Sequence, residues 1–151
     1  LAIRFGADVP ADPAPEQVTD AIDAVAPALE LVDLDRPLDD LHAILAANVF
    51  HRGLLLGDFD AARVGGELDG LAVAVRRGGE EAGAVSIAES YRDLTETLRT
   101  VARRLGLMGE ALRAGQFVIA GSLTPIVPVA AGDEVRADFG PLGTLVLDFT
   151  D

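Results

Sequence analysis

The stretch RAGQFVIAGSLTPIVPVAAGDEVRADFGPLGTLVLDF, running from Arg113 to Phe149, decides the fold. Phe117 to Ala120 is a short apolar run that reads as a strand, followed by the turn Gly121-Ser122-Leu123-Thr124-Pro125. Gly132-Asp133 marks a second turn and leads into two runs that alternate apolar and polar residues, the pattern of half-buried strands. Turn and strand signals in such close series are uncommon outside a fixed β framework.

Working outward, Leu1 to Phe5 is strand-like and closes at Gly6-Ala7-Asp8. Asp12, Pro13 and Pro15 then introduce a helix expected over Glu16 to Ala26, with Val18, Ile22, Val25 and Ala26 on one face and Pro27 as its stop. Ala28 to Asp33 reads as a strand carrying a carboxylate in an apolar run. Asp35-Arg36-Pro37 reads as a start signal for a short helix from Leu38 to Ala47. Gly53 to Leu56 is a further strand, and Gly57 to Gly70 a loop rich in Gly and Asp. Leu71–Val75 and Glu81–Ile87 form a hairpin joined across Arg77-Gly78-Gly79-Glu80. Ser90, with Asp93 three residues on, resembles a capping box for a helix whose stripe is Leu94, Leu98, Val101 and Leu105, ended by Gly106. One mixed α+β domain over 1–151, sheet-dominated with a few flanking helices, is the expected architecture.

Composition narrows the function. Twelve basic residues stand against 25 acidic ones, a formal charge of -13, and every basic residue is an arginine. So acidic a surface repels phosphate backbones and anionic lipid, which argues against nucleic-acid and membrane partners. No apolar run reaches the roughly 20 residues that span a bilayer, and none reads as a secretory signal, so a cytoplasmic location is expected. With no cysteine, disulfides, thiolate metal sites and cysteine nucleophiles are excluded, and with no lysine so is Schiff-base chemistry. The chain opens at Leu1 inside a strand-like run, without an initiator Met, which reads as the C-terminal portion of a longer chain.

Several residues stand out as chemistry. Glu30 sits within Pro27-Ala28-Leu29-Glu30-Leu31-Val32-Asp33, where strand alternation puts Glu30 and Val32 on one face. Two readings stay open: a carboxylate buried among apolar side chains that binds a cation, or one that faces solvent on an edge strand. His51 is a candidate general acid/base and Arg52 a candidate carboxylate clamp, against the alternative that both are surface residues of a strand edge. Ser122 and Thr124, in a turn beside Gly and Pro, can aim donors at an anionic oxygen, although most such turns are structural. His42 lies on a polar helix and reads as solvated; Tyr91 could offer a hydroxyl to a ligand, although a lone Tyr at a helix start is more often packing or a partial cap. Phosphate-loop and zinc-protease motifs are missing.

The closing stretch resembles the C-terminal signature of the fumarylacetoacetate hydrolase superfamily, in its 2-oxopent-4-enoate hydratase and 4-oxalocrotonate decarboxylase branch. So does Pro27–Asp33, which is similar to the branch's Pro-Ala-Leu-Glu-Ile/Leu-Val-Asp strand. The resemblance implies that Glu30 is a ligand of Mg²⁺ or Mn²⁺, the other two being a Glu-x-Glu pair expected just upstream of Leu1. It also implies that Asn48, Ser122 and Thr124 border the substrate. Asn48 and Gly57 match the family's Ala-Asp-Asn-Ala-Ser-Ser-Gly stretch and the strand after it, while Ala47, Phe50 and His51 depart from it. Ala88-Glu89-Ser90-Tyr91 likewise replaces the family's Gly-His-Pro or Gly-Asn-Pro turn. The implied function is a metal-dependent lyase that hydrates or decarboxylates a 2-hydroxy-2,4-dienoate or related 2-oxo acid, as a homo-oligomer or with a further portion or partner subunit. The alternatives are a carbon–carbon bond hydrolase of the same superfamily and a non-catalytic or repurposed subunit.

Overall fold

The computed structural model describes residues 1–150. The fold is α+β and built on three antiparallel sheets. Strand β1 (Ala2–Phe5) lies at the centre of the first, between β2 (Ile22–Ala26) and β7 (Phe117–Ile119). The second is the ribbon β3 (Ala28–Val32) and β4 (His51–Leu56). The third runs β6 (Glu80–Ser86), β5 (Ala72–Arg77), β8 (Glu134–Asp138), β9 (Thr144–Asp148). Helices α1 (Pro15–Ala21), α2 (Leu41–Ala46), α3 (Ile87–Ser90) and α4 (Leu94–Leu107) flank them.

Burial explains the first sheet. In β1, Ala2, Ile3 and Phe5 have no exposed surface, so the strand is covered on both faces. Its one charged residue, Arg4, is half-buried and pairs with Asp23 of β2 at 2.8 Å, its guanidinium 4.7 Å above the ring of Phe59. The hairpin across Gly78-Gly79 forms as its sequence predicts, with φ of 56° and 86° at the two glycines, the left-handed pair a two-residue turn requires. Asp8 ties the loop after β1 to the approach to β7. Its carboxylate accepts the amide of Ala114 at 2.9 Å and the guanidinium of Arg113 at 2.8 Å, which hold it below the usual carboxylate range.

Four expectations are corrected. The helix expected over Glu16 to Ala26 stops at Ala21, and Ile22–Ala26 is a strand paired with β1. Ile22, Ala24, Val25 and Ala26 are all buried and only Asp23 reaches solvent, so apolar residues fall on both sides of the run, and its β-branched residues suit the open edge of β1. The short helix starts at Leu41 rather than Leu38, because the capping carboxylate is that of Asp40, which accepts the amide of Ala43. Ser90 does not cap α4: its hydroxyl donates to the carbonyl of Ser86, and Ser86 caps α3.

Gly106 does not end α4 either. The helix continues to Leu107, and the left-handed residue beyond it is Gly109 at φ 77°. Gly106 is there for a close approach, since a Cβ at this position would lie 2.5 Å from the Cβ of Ala11. Gly106→Ala should therefore lower the melting temperature, even though replacing a helix glycine ordinarily gains about 1 kcal/mol, because overpacking costs typically 1–3 kcal/mol. A raised melting temperature would show that the Ala11 loop yields.

Candidate active-site cavity

Between the β3–β4 ribbon and the four-stranded sheet lies a cavity of about 680 Å³. Its floor is apolar, with Val73, Val75, Val135, Phe139 and Leu147 from the sheet, and the segment from Gly121 to Val129 forms a wall. Into this lining come four of the six residues singled out from sequence: Glu30, Arg52, Ser122 and Thr124. A mostly apolar cleft of this size with a few convergent polar groups is the ordinary form of a small-molecule site.

The ribbon's register decides what faces what. Glu30 stands opposite Leu54 and Leu31 opposite Gly53, but Val32 stands opposite His51, so Arg52 is an extra, bulged residue. Without the bulge His51 would face away from Glu30; with it, both His51 and Arg52 fall on Glu30's face. His51 Nδ1 lies 2.8 Å from Glu30 Oε1, an imidazole N–H donating to a carboxylate that is itself 43% exposed. The question left open by the sequence is thereby answered: Glu30 is neither deeply buried nor free in solvent, but held half-exposed at the cavity by a histidine. Arg52 lines the cavity with its guanidinium 3.3 Å from Asp35 and 3.9 Å from Asp33. His51 is not among the lining residues, and Asn48 stands exposed outside the cavity.

Asn48 has a different distinction. Asn48, Val49 and Phe50 take left-handed backbone conformations in succession, at φ 52°, 53° and 67°. For non-glycine residues each such conformation costs of order 1–3 kcal/mol, and Val49 is β-branched. Phe50 holds the turn: its side chain is buried, its amide donates to Ala47 and its carbonyl accepts from Asp33.

The wall is tethered from behind. Tyr91 donates its hydroxyl to the Gly121 carbonyl at 3.2 Å, and burial pushes this phenol up to about 12. Arg77 donates to the carbonyl of Pro128 at 2.6 Å. Ser122 donates its hydroxyl to the carbonyl of Thr124 at 2.7 Å, so that proton serves the turn. No backbone N–H between Gly121 and Val129 donates to another backbone group among the described residues, and the hydroxyl of Thr124 makes no hydrogen bond there. Arg77, Asp33 and Asp35 escaped the sequence reading as parts of this site, and Tyr91 enters it as a tether of the wall rather than as a hydroxyl offered to a ligand. Only the two aspartates left a signal, as carboxylates flanking an apolar strand.

Among the described residues no group of three or more His, Asp or Glu is arranged to hold a metal. Glu30 fits as one carboxylate ligand of a hard divalent cation, its second oxygen, Oε2, having no hydrogen-bond partner among the described residues; a full ligand set needs groups beyond Glu30. No helix of the described residues is long and apolar enough to cross a membrane.

The family model described as Fumarylacetoacetate (FAA) hydrolase C-terminal matches residues 1–150, and the chain belongs to that family. It is 28% identical over 140 residues to the 2-hydroxyhexa-2,4-dienoate hydratase of Comamonas testosteroni, covering 90% of this chain and 52% of that protein. It is 30% identical over 142 residues to a 4-oxalocrotonate decarboxylase of a Pseudomonas species, covering 90% and 53%. Among solved structures, the 4-oxalocrotonate decarboxylase of Pseudomonas putida G7 complexed with magnesium and adipate superposes with a TM-score of 0.84 at 25% identity, over 98% of this chain and 57% of that one. The chain thus spans about half the length of the curated relatives it matches.

Proposed function

We propose that this chain forms the catalytic-type domain of a divalent-metal-dependent lyase that hydrates or decarboxylates a 2-hydroxy-2,4-dienoate or related 2-oxo acid. The observation that carries the reading is the convergence of Glu30, Arg52, Ser122 and Thr124 on one apolar cavity, in a chain similar to a dienoate hydratase and to an oxalocrotonate decarboxylase. Glu30 would hold the Mg²⁺ or Mn²⁺, together with carboxylates from outside the described residues. Leu1 also lines the cavity, so in a longer chain a residue joined to it would stand at the same wall. When bound, the ion supplies Lewis-acid polarisation of a 2-oxo oxygen.

The remaining work falls to the chain's own groups. Arg52 meets the substrate carboxylate in place of Asp33 and Asp35, whose carboxylates hold the guanidinium at the cavity until then. The undonated N–H groups of Gly121 to Val129 and the hydroxyl of Thr124 supply dipoles to an oxygen on which negative charge develops. Val73, Val75 and Phe139 take the unsaturated carbon chain and keep water from it. Ser122 shapes the turn, and its oxygen lone pairs remain to accept from a substrate hydroxyl.

Loss of a dienoate's ultraviolet absorbance on incubation with the protein and Mn²⁺ tests the reading. Turnover that stops on chelation and returns with metal supports it. No turnover across several dienoates and 2-oxo acids would transfer the chain to a non-catalytic role. Arg52→Ala should raise KM by about 10- to 100-fold with a smaller change in kcat, since a hydrogen bond to a charged group contributes roughly 1.5–3 kcal/mol. An unchanged KM would remove Arg52 from the substrate carboxylate.

A further inference from the structure

His51 is the least expected residue beside the cavity. It stands where the resembling stretch of the family carries serine, yet three local features converge on it. The bulge at Arg52 turns His51 onto the face of β3 that carries Glu30. Immediately before it, the three left-handed residues Asn48 to Phe50 bring the chain into β4, anchored by the buried ring of Phe50. At the end of that path Nδ1 meets Oε1 of Glu30 at 2.8 Å. Bulges and strained backbone persist where they aim a side chain that the site requires. An incidental surface pair would need neither.

We propose that His51 is a positioning residue for Glu30: its Nδ1–H fixes one carboxylate oxygen and so aims the other at the metal. This rests on the reading of Glu30 as a metal ligand. The ring does not line the cavity, so its effect passes through Glu30 rather than through contact with substrate. A carboxylate on an exposed strand otherwise samples several rotamers, and a ligand held in one of them binds its ion more tightly. Hydrogen-bonding partners of metal ligands are ordinarily worth about 10–100-fold in affinity. The strained turn and the bulge fix the backbone of His51 opposite Val32, and so fix the side of the ribbon from which the imidazole reaches Glu30.

Two measurements on the protein in its full encoded length test this separately from the function. Manganese affinity, read from the electron paramagnetic resonance of free Mn²⁺, should fall about 10–100-fold in His51→Ala. It should return in His51→Asn, whose side-chain amide N–H occupies the place of Nδ1–H. Equal affinity in wild type and His51→Ala, or no recovery in His51→Asn, overturns the proposal. Nitrogen NMR of the His51 ring at alkaline pH reads the pair without metal. The expected form is the tautomer protonated at Nδ1, reverting to the Nε2 form in Glu30→Ala. A ring that is already in the Nε2 form in wild type overturns the proposal whatever the metal does. If wild type binds no Mn²⁺ while the Nδ1 tautomer is present, the metal-lyase reading fails and His51 still positions Glu30.

Discussion

Glu30→Gln should remove metal-dependent turnover, lowering kcat/KM by at least ~100-fold, since even the partners of metal ligands are worth about 10–100-fold. The substitution keeps the size of the side chain and its hydrogen-bonding reach toward His51, so the ribbon β3–β4 should fold unchanged. What it removes is charge. A hard divalent cation takes carboxylate oxygens far in preference to a neutral amide, and among the described residues no group of three or more His, Asp or Glu is arranged to replace Glu30. Manganese affinity should fall with turnover, measured on the same preparation by metal titration and by loss of dienoate absorbance. Full metal affinity in Glu30→Gln would take this residue out of the metal site.

The second large effect is on stability. Phe5 ends the central strand β1, flanked in its sheet by β2 and β7, and its side chain has no exposed surface in the hydrophobic core. Phe5→Ala should cost about 3–5 kcal/mol, from lost transfer energy and an incompletely filled cavity. Domains of this kind are stable by only about 5–15 kcal/mol, so the variant should lose a large share of its margin. Urea unfolding followed by circular dichroism should show a lower midpoint with an unchanged slope. A cost under about 1 kcal/mol, the mildest of core substitutions, would mean that the surrounding sheet collapses onto the space.

Many of the strands and turns toward the C-terminus were legible because their signals are local, whereas the order in which they pair was not. Gly78-Gly79 predicts a two-residue hairpin, and Gly132-Asp133 a turn, without reference to anything distant. The helix over Glu16 to Ala26 misled because Val18, Ile22 and Val25 satisfy a helical face and are also buried when the last five residues pair as a strand. Only the free edge of β1 decides between the two, and that edge lies some twenty residues away in the sequence. Gly106 is a similar case: a glycine near a helix end signals a stop, whereas here the nearness of Ala11 requires it.

The site shows the same division. That Glu30, Ser122 and Thr124 border one cavity was legible from the Pro27–Asp33 and Gly121–Pro125 resemblance to the family. The partnership of His51 with Glu30 was not, because it depends on one extra residue in a strand register. Strict alternation from Leu54 would place His51 on the far face of the ribbon, and nothing in the string HRGLLL marks the bulge. As tethers, Tyr91 and Arg77 were equally hidden, since each reaches the cavity wall through a single hydrogen bond to a backbone carbonyl in a distant segment.

The most direct measurement is the electron paramagnetic resonance spectrum of protein-bound Mn²⁺ before and after addition of a saturated 2-oxo acid. If metal and substrate meet in this cavity, the bound-ion spectrum should change on saturation with the acid, and Arg52→Ala should require more acid to produce the same change. A bound-ion spectrum indifferent to every 2-oxo acid tried, or no bound Mn²⁺ at all, would contradict the assignment of this cavity.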